Sequence, residues 1–416
     1  KTIGSLIFWV LLLMAIMSWV SQGRSPVEYV LMQLADPLLR PIRNLLPSMG
    51  GIDFSPMVLV LLLLVFGLVM MFSASYATAI DEGEPGTYYA VKQLEMAGVG
   101  LVVMFFASHF DYHAFGRFWI SFGIFAVALV MLILVLFMGT STDTGVTRWL
   151  RIGPLTFQPS EIMKFAVVVF FSMLISKNYN HMQDFKRGVL PYFLMLGVIA
   201  GLMMMQPHLS GTILILLIGL TLVFVGGAKL THLGGAGLAG CALLIAVILL
   251  KKNYFMTRIT TWLDPFNEAT SAGDTWQTCQ SLIAIGSGGL FGLGFCESRQ
   301  KYLYLPETKN DFVFAIVCEE LGYVGAVVVI LLFALLVFRG LYIASKARDK
   351  LGTLLVLGLT MHIGLQAFLN IAVVSNLIPN TGISLPFFSY GGTALIMQLA
   401  EMGIILNVSR QANIEK

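Results

Sequence analysis

The chain has 416 residues, of which 57% are hydrophobic and 11% charged, with a mean hydropathy of +0.86 and a formal net charge of +3. Soluble globular chains carry about 25% charged residues, so this composition excludes an ordinary soluble protein and points to one that crosses a membrane repeatedly. A net charge this small says little alone, because placement of Lys and Arg matters more than their sum; no nucleic-acid partner is expected.

Eleven apolar stretches are long enough, or nearly so, to cross a bilayer as helices. In order they are Ile3 to Val20, Met57 to Phe72, Leu94 to His109, Phe118 to Met138, Ile162 to Ile175, Leu190 to Met205, Ile213 to Val225, Leu233 to Leu250, Phe312 to Phe338, Leu351 to Val374 and Thr393 to Val408. None alternates with the period of a barrel strand, so the expected fold class is an all-α polytopic membrane protein. Short loops with Lys177, Lys186 and Arg187, with Lys229, and with Arg339, Lys346, Arg348 and Lys350 fall on one side, as does the tail with Arg410. That side is expected to be cytoplasmic, which puts the long segment from Lys251 to Asp311 outside. Cys241 and Cys318 read as small core residues, whereas Cys279 and Cys296 share the outside segment and are able to pair in an oxidising compartment.

The first 56 residues, KTIGSLIFWV through IDFSPM, differ from the rest and begin without Met. They resemble the second half of the YggT family of small bacterial membrane proteins. An engineered fusion is expected, with its junction near Met57 to Val65, and this leader carries one helix and a linker whose Arg24, Arg40 and Arg43 lie on the cytoplasmic side.

Further along, GVTRWLRIGPLTFQPSEIMK contains the pair Arg148 and Trp149, then Pro159 and Ser160 suited to a helix start, with Glu161 and Lys164 three apart on one helix face. Two readings stand for that acid and base: an internal ion pair that lets both charges enter the membrane, and a functional pair. QPHLSGT places Gln206 and His208 at a helix boundary, where a lone His is commonly just a hydrogen-bonded polar residue. GSGGLFGLG, residues 286 to 294, follows no strand and opens no βαβ unit, so it reads as a flexible or close-packed stretch rather than a phosphate loop.

The segment RQKYLYLPETKNDFVFAIVCEELGYVG, residues 299 to 325, sets a cationic turn against an apolar helix with Asp311 at its mouth and Glu319 and Glu320 inside. An acid at mid-helix costs roughly 2.5 to 3.5 kcal/mol on insertion, so three acids this close call for a reason. Asp311 reads either as the N-cap of that helix or as a chemical group. Finally, NTGISLPFFSYGGTALI makes an irregular Gly- and Pro-rich run at membrane depth, tolerated only if buried or lining a cavity. Ser389, Tyr390, Gly391 and Gly392 are then wall residues or a structural turn.

LPExxxDFxFAxxxEELG, then LPFFSYGG, with the Arg-Trp pair, QPSExxK and VMMFSASYATA upstream, resembles the SEDS family, which includes FtsW and RodA. The resemblance covers residues 57 to 416 and implies a ten-helix bundle, with a large extracytoplasmic loop (251 to 311) before the eighth helix; the leader adds one more helix. It further implies an inverting glycosyltransferase that polymerises lipid II into peptidoglycan and releases undecaprenyl pyrophosphate. The acid matching Asp311 is the family's catalytic residue, and the residues matching Glu161 and Lys164 help line its cavity. This chain has His208 where many members have Asp, which puts an acidic or metal-binding role there in doubt. Gln206, Glu320, Ser389, Tyr390 and Gly391 are expected to line the cavity with Arg148 and Trp149. Arg148, Arg299 and Lys301 are candidates for meeting the charge on the leaving pyrophosphate. The metal requirement stays open, a divalent cation (Mg or Mn) being the candidate cofactor. The implied partners are lipid II, a class B penicillin-binding protein that supplies transpeptidation, and other divisome or sporulation proteins. FSASYATA and SRQKYLYLPE lie nearer the FtsW and sporulation branch than RodA. A lipid II flippase and a partner-holding scaffold are the alternatives; a flippase predicts charges spread through the membrane depth.

Overall fold

In a computed structural model of the chain, residues 55–412 are described apart from 142–146, 153–154, 207, 236, 238–239, 241–251, 268–272 and 274. Residues 1–54 of the leader with its predicted helix Ile3 to Val20, Cys241 and most of the predicted helix Leu233 to Leu250 lie outside the described residues.

Helices α1 (Ser55–Asp81), α2 (Tyr88–His109), α3 (Phe118–Met138), α4 (Pro159–Asn178), α5 (Leu190–Met205) and α6 (Leu209–Val225) are followed by α7 (Lys252–Leu263) and α8 (Trp276–Ser287). The chain then closes with α9 (Val313–Lys346), α10 (Lys350–Val374) and α11 (Gly392–Gln411). Eight of the described helical segments are long and apolar enough to span a membrane, α6 being apolar but shorter. Local chemistry sets several ends: Pro159 occupies the first turn of α4, and the Asp349 side chain accepts from Gly352 N to cap α10. Tyr88 and Gln93 belong to α2, although hydropathy alone starts that helix at Leu94. Polar residues that find partners inside a bundle are invisible to a transfer scale.

Three short strands interrupt the all-helical plan between α3 and α4: β1 (Thr140–Ser141), β2 (Thr147–Ile152) and β3 (Leu155–Phe157), paired antiparallel in that order. They are too short for a period of two to register, so the sequence reads as plain loop. The predicted outside segment likewise holds two helices, α7 and α8. Its Cys279 and Cys296 are both free thiols, so the disulfide that spacing allowed is not formed.

Helices α4, α10 and α11 form the interior. In the segment Pro159–His181, 78% of the best apolar window is buried by protein, against 22% for Tyr88–His109 at the periphery. One end of the bundle gathers the α1–α2, α3–α4 and α5–α6 junctions, the start of α9 and the α10–α11 connection. The opposite end carries Lys177, Lys186, Arg187, Lys229, Lys346, Arg348, Lys350 and Arg410.

The glycine run 286 to 294 is close-packed against α9. A β-carbon on Gly292 would sit 2.1 Å from Glu320 O, and one on Gly322 would sit 2.3 Å from Gly292 N. Gly322, at φ +67, breaks the helical path of α9 there, a conformation that side chains resist. The kink frees backbone groups that the run then takes up: Leu293 N donates to Glu319 O at 2.9 Å and Tyr323 N to Gly289 O at 2.8 Å.

Candidate active site at the mouth of the bundle

Asp311 lies in the turn that leads into α9, and the N-cap position falls on Phe312 instead. Capping therefore does not account for the acid. The turn that carries it is fastened on several sides. Thr308 Oγ1 donates to Ala74 O of α1 at 2.9 Å, and Lys309 Nζ donates to Glu82 Oε1 at 3.0 Å while lying 3.8 Å from the centre of the Tyr89 ring. Ser389 Oγ donates to Asn310 O at 2.5 Å, and Tyr390 N to Lys309 O at 2.8 Å. Asn370 of α10 completes the fastening, its amide nitrogen donating to Asp311 O at 2.7 Å and to Ile383 O at 2.6 Å. The irregular run 380 to 391 is thus the scaffold of the acid's turn. Gly382, at φ +65, brings its backbone close enough that a β-carbon there would lie 3.1 Å from Asp311 Oδ2.

The surroundings push Asp311 up to about 6: burial dominates, the Glu307 charge adds to it, and Arg148 opposes both. His208 moves the other way, down to about 3, through burial and then the positive charges of Arg148 and Lys164. It is consequently a neutral imidazole at pH values where Asp311 titrates, and its buried Nδ1 has no hydrogen-bond partner. Arg148, on β2, therefore acts electrostatically on both Asp311 and His208. Lys164 lies 2.7 Å from Glu161 Oε2 and donates to Gln366 Oε1 at 2.7 Å, with both charged side chains almost fully buried. The ion-pair reading of Glu161 and Lys164 thus holds geometrically.

Other predicted site residues serve the scaffold. Gln206 donates to Leu132 O at 2.9 Å, tying the α5–α6 junction to α3. Trp149 is half-buried on β2, opposite Thr140. Tyr390 meets Tyr89 edge-on at 5.0 Å, and Gln93 bridges Gly391 N at 3.2 Å and Ser389 O at 3.0 Å.

Lys301 and Glu320 require a correction. They are 1% and 0% exposed and pair with each other at 3.0 Å; Ser73 Oγ donates to the same Glu320 oxygen at 2.5 Å and Cys296 N to its second oxygen at 3.0 Å. Glu319 next to it accepts from Ser298 Oγ at 2.5 Å and Arg299 N at 2.9 Å. The two acids clamp the 296–301 loop onto α9, so Lys301 is a neutralised structural cation rather than one facing a leaving group. Arg299 is exposed and lines a pocket of about 540 Å³ with Cys296, Tyr302 and Tyr304, a pocket whose lining does not include Asp311.

Asn370, Gln366 and His362 escaped the sequence reading, although the signal was present: three polar residues four apart in an otherwise apolar helix. Among the described residues, no three His, Cys, Asp or Glu side chains stand together as a donor set for a divalent cation.

Fold and site together define a polytopic helical membrane protein with a half-buried, fastened carboxylate at one mouth of its bundle. The chain belongs to the FtsW, RodA and SpoVE family of cell cycle proteins, whose model matches residues 54–414. A second model, CCB3/YggT, matches residues 1–74. The chain is 36% identical to the probable peptidoglycan glycosyltransferase FtsW of Geobacter sp. (strain M18) and 38% identical to the stage V sporulation protein E of Bacillus subtilis (strain 168); each comparison covers 86% of this chain and 97% of the relative. A solved structure concerned with how a peptidoglycan synthase complex coordinates polymerization and crosslinking superposes with a TM-score of 0.71 at 26% identity, covering 87% of this chain and 98% of that one. The rod shape determining protein RodA of Thermus thermophilus gives 0.61 at 25% identity, over 89% of this chain and all of that one (100%).

Proposed function

We propose that this chain is a peptidoglycan glycosyltransferase that polymerises lipid II, with Asp311 as its general base. The carrying observation is a carboxylate that is not a helix cap, is held by its main chain from α10, and is poised by burial near neutral pH. Ionised Asp311 removes the proton of the acceptor N-acetylglucosamine 4-hydroxyl. That oxygen bonds to the anomeric carbon of the donor N-acetylmuramic acid while the bond to undecaprenyl pyrophosphate breaks, with inversion. Arg148 is the cation nearest in effect to Asp311 and is assigned to the charge developing on the leaving pyrophosphate. A raised pKa strengthens the base, provided the pH keeps it ionised.

The site faces the extracytoplasmic side of the bacterial cytoplasmic membrane, a reading supported by the cluster of Lys and Arg at the other end of the bundle. Residues 1–56 form a separate leader without part in the reaction. A class B penicillin-binding protein is the partner, a reading supported by the match to a peptidoglycan synthase complex. The flippase alternative gains one observation, the His362–Glu401 pair at mid-helix, but those side chains are 1% and 0% exposed.

The experiment is polymerisation of purified lipid II, with and without the transpeptidase, read as glycan ladders on a gel. Asp311→Asn and Asp311→Ala lose all polymer while remaining folded in detergent. Unchanged ladders from either variant would defeat the assignment.

A further inference from the structure

One face of α10 carries His362, Gln366 and Asn370 at four-residue spacing, all three buried. Their hydrogen bonds fix which atom is which. Gln366 nitrogen lies 3.1 Å from Ser384 O, which only accepts, and its oxygen lies 2.7 Å from Lys164 Nζ, which only donates. The same Gln366 oxygen is 3.1 Å from His362 Nε2, so that nitrogen carries a proton. His362 Nδ1 stands 2.9 Å and 3.0 Å from the two oxygens of Glu401 on α11. A second proton lies between Nδ1 and the Glu401 carboxyl, and that contact anchors the ring with Nε2 toward Gln366. One continuous chain thus runs from Glu401 through His362 and Gln366 to Lys164 and its partner Glu161, linking α11, α10 and α4.

The ladder's upper end reaches the acid's turn too. Gln366 holds Ser384, just before the 385–391 run that fastens residues 309 and 310, and Asn370 holds Asp311 itself. Lys164 in turn acts on His208 beside Arg148.

We propose that Glu401, His362 and Gln366 are positioning residues that hold the Lys164 ammonium in register with the Asp311 site, His362 passing the effect of Glu401 to Gln366. The inference rests on the glycosyltransferase reading for its activity assay. It makes Glu401→Ala harmful through a lost anchor: the buried Nδ1 is left without its partner, and the ring is no longer held with Nε2 toward Gln366. Glu401→Gln keeps the ladder, because an amide N–H donating to Nδ1 leaves the proton on Nε2.

The test is a double-mutant cycle on lipid II polymerisation with the full chain in detergent: wild type, Lys164→Met, Gln366→Met and the pair. Losing a hydrogen bond to a charged group corresponds to about tenfold to hundredfold in rate, expected in kcat for Gln366→Met with KM little moved. The double variant is expected to be no slower than the slower single. Independent, multiplying losses, or Gln366→Met at the wild-type rate, would overturn the proposal. If Gln366→Met fails to fold, as judged by melting, Glu401→Ala and Glu401→Gln decide: glutamine restores most of the rate lost in alanine, and equal rates in the two would refute the ladder. Labelling of Lys164 by an amine-reactive reagent, read by mass spectrometry, rises in Gln366→Met and again in Glu401→Ala but not in Glu401→Gln. That measurement needs no activity. A wild type that makes no polymer but shows this labelling pattern counts against the glycosyltransferase reading alone, and unchanged labelling counts against the ladder alone.

Discussion

The pH dependence of turnover follows from the surroundings of Asp311 and can be worked through. A general base is active when ionised, so the rate falls as pH drops through its pKa. With that value at about 6, Asp311 is roughly 91% ionised at about pH 7 and roughly 9% at about pH 5. At the ordinary value of 3.8 it would still be roughly 94% ionised at about pH 5. The structure therefore predicts a tenfold fall in kcat, to an order of magnitude, over two pH units where an unperturbed aspartate would show almost none. His208 does not contribute, since it stays neutral down to about 3. The direction of two perturbations is fixed as well. Glu307→Gln removes a negative neighbour and moves the acid limb to lower pH, and Arg148→Gln removes a positive one and moves it higher. The assay is initial rate against pH at saturating lipid II. A limb near pH 4 in the wild type, or an upward move in Glu307→Gln, would refute the reasoning.

Three further outcomes concern the scaffold. Glu320→Ala leaves Lys301 buried without its counter-charge and is expected to cost about 3–5 kcal/mol, read by thermal melting in detergent. Gly322→Ala forces a side chain into a backbone region reserved for glycine, with its β-carbon 2.3 Å from Gly292 N, and is expected to cost at least about 1–3 kcal/mol by the same measurement. Ser389→Ala strips Asn310 O and Leu385 N of their partner, about 1–3 kcal/mol per group; polymerisation is expected to fall further than melting does, because the loosened turn is the one that carries Asp311.

Much of this protein is legible without coordinates. A span of about twenty apolar residues is a local property, so nine of the ten helices expected after the leader are found among the described residues, and the placement of Lys and Arg already sorts the loops into two sides. The family motifs likewise mark Asp311, Glu161 and Lys164 as residues to watch. Which charge faces the site and which is spent on structure is another matter. Lys301 and Lys164 look alike in sequence, each a cation near an acid, yet one is closed off against Glu320 and Ser73 while the other acts on His208. Asp311 and Asn370 are 59 positions apart, and Lys164 and Gln366 are 202 apart. A pKa, a tautomer and the fastening of a turn depend on such neighbours across the bundle, and only the packing of the helices supplies them.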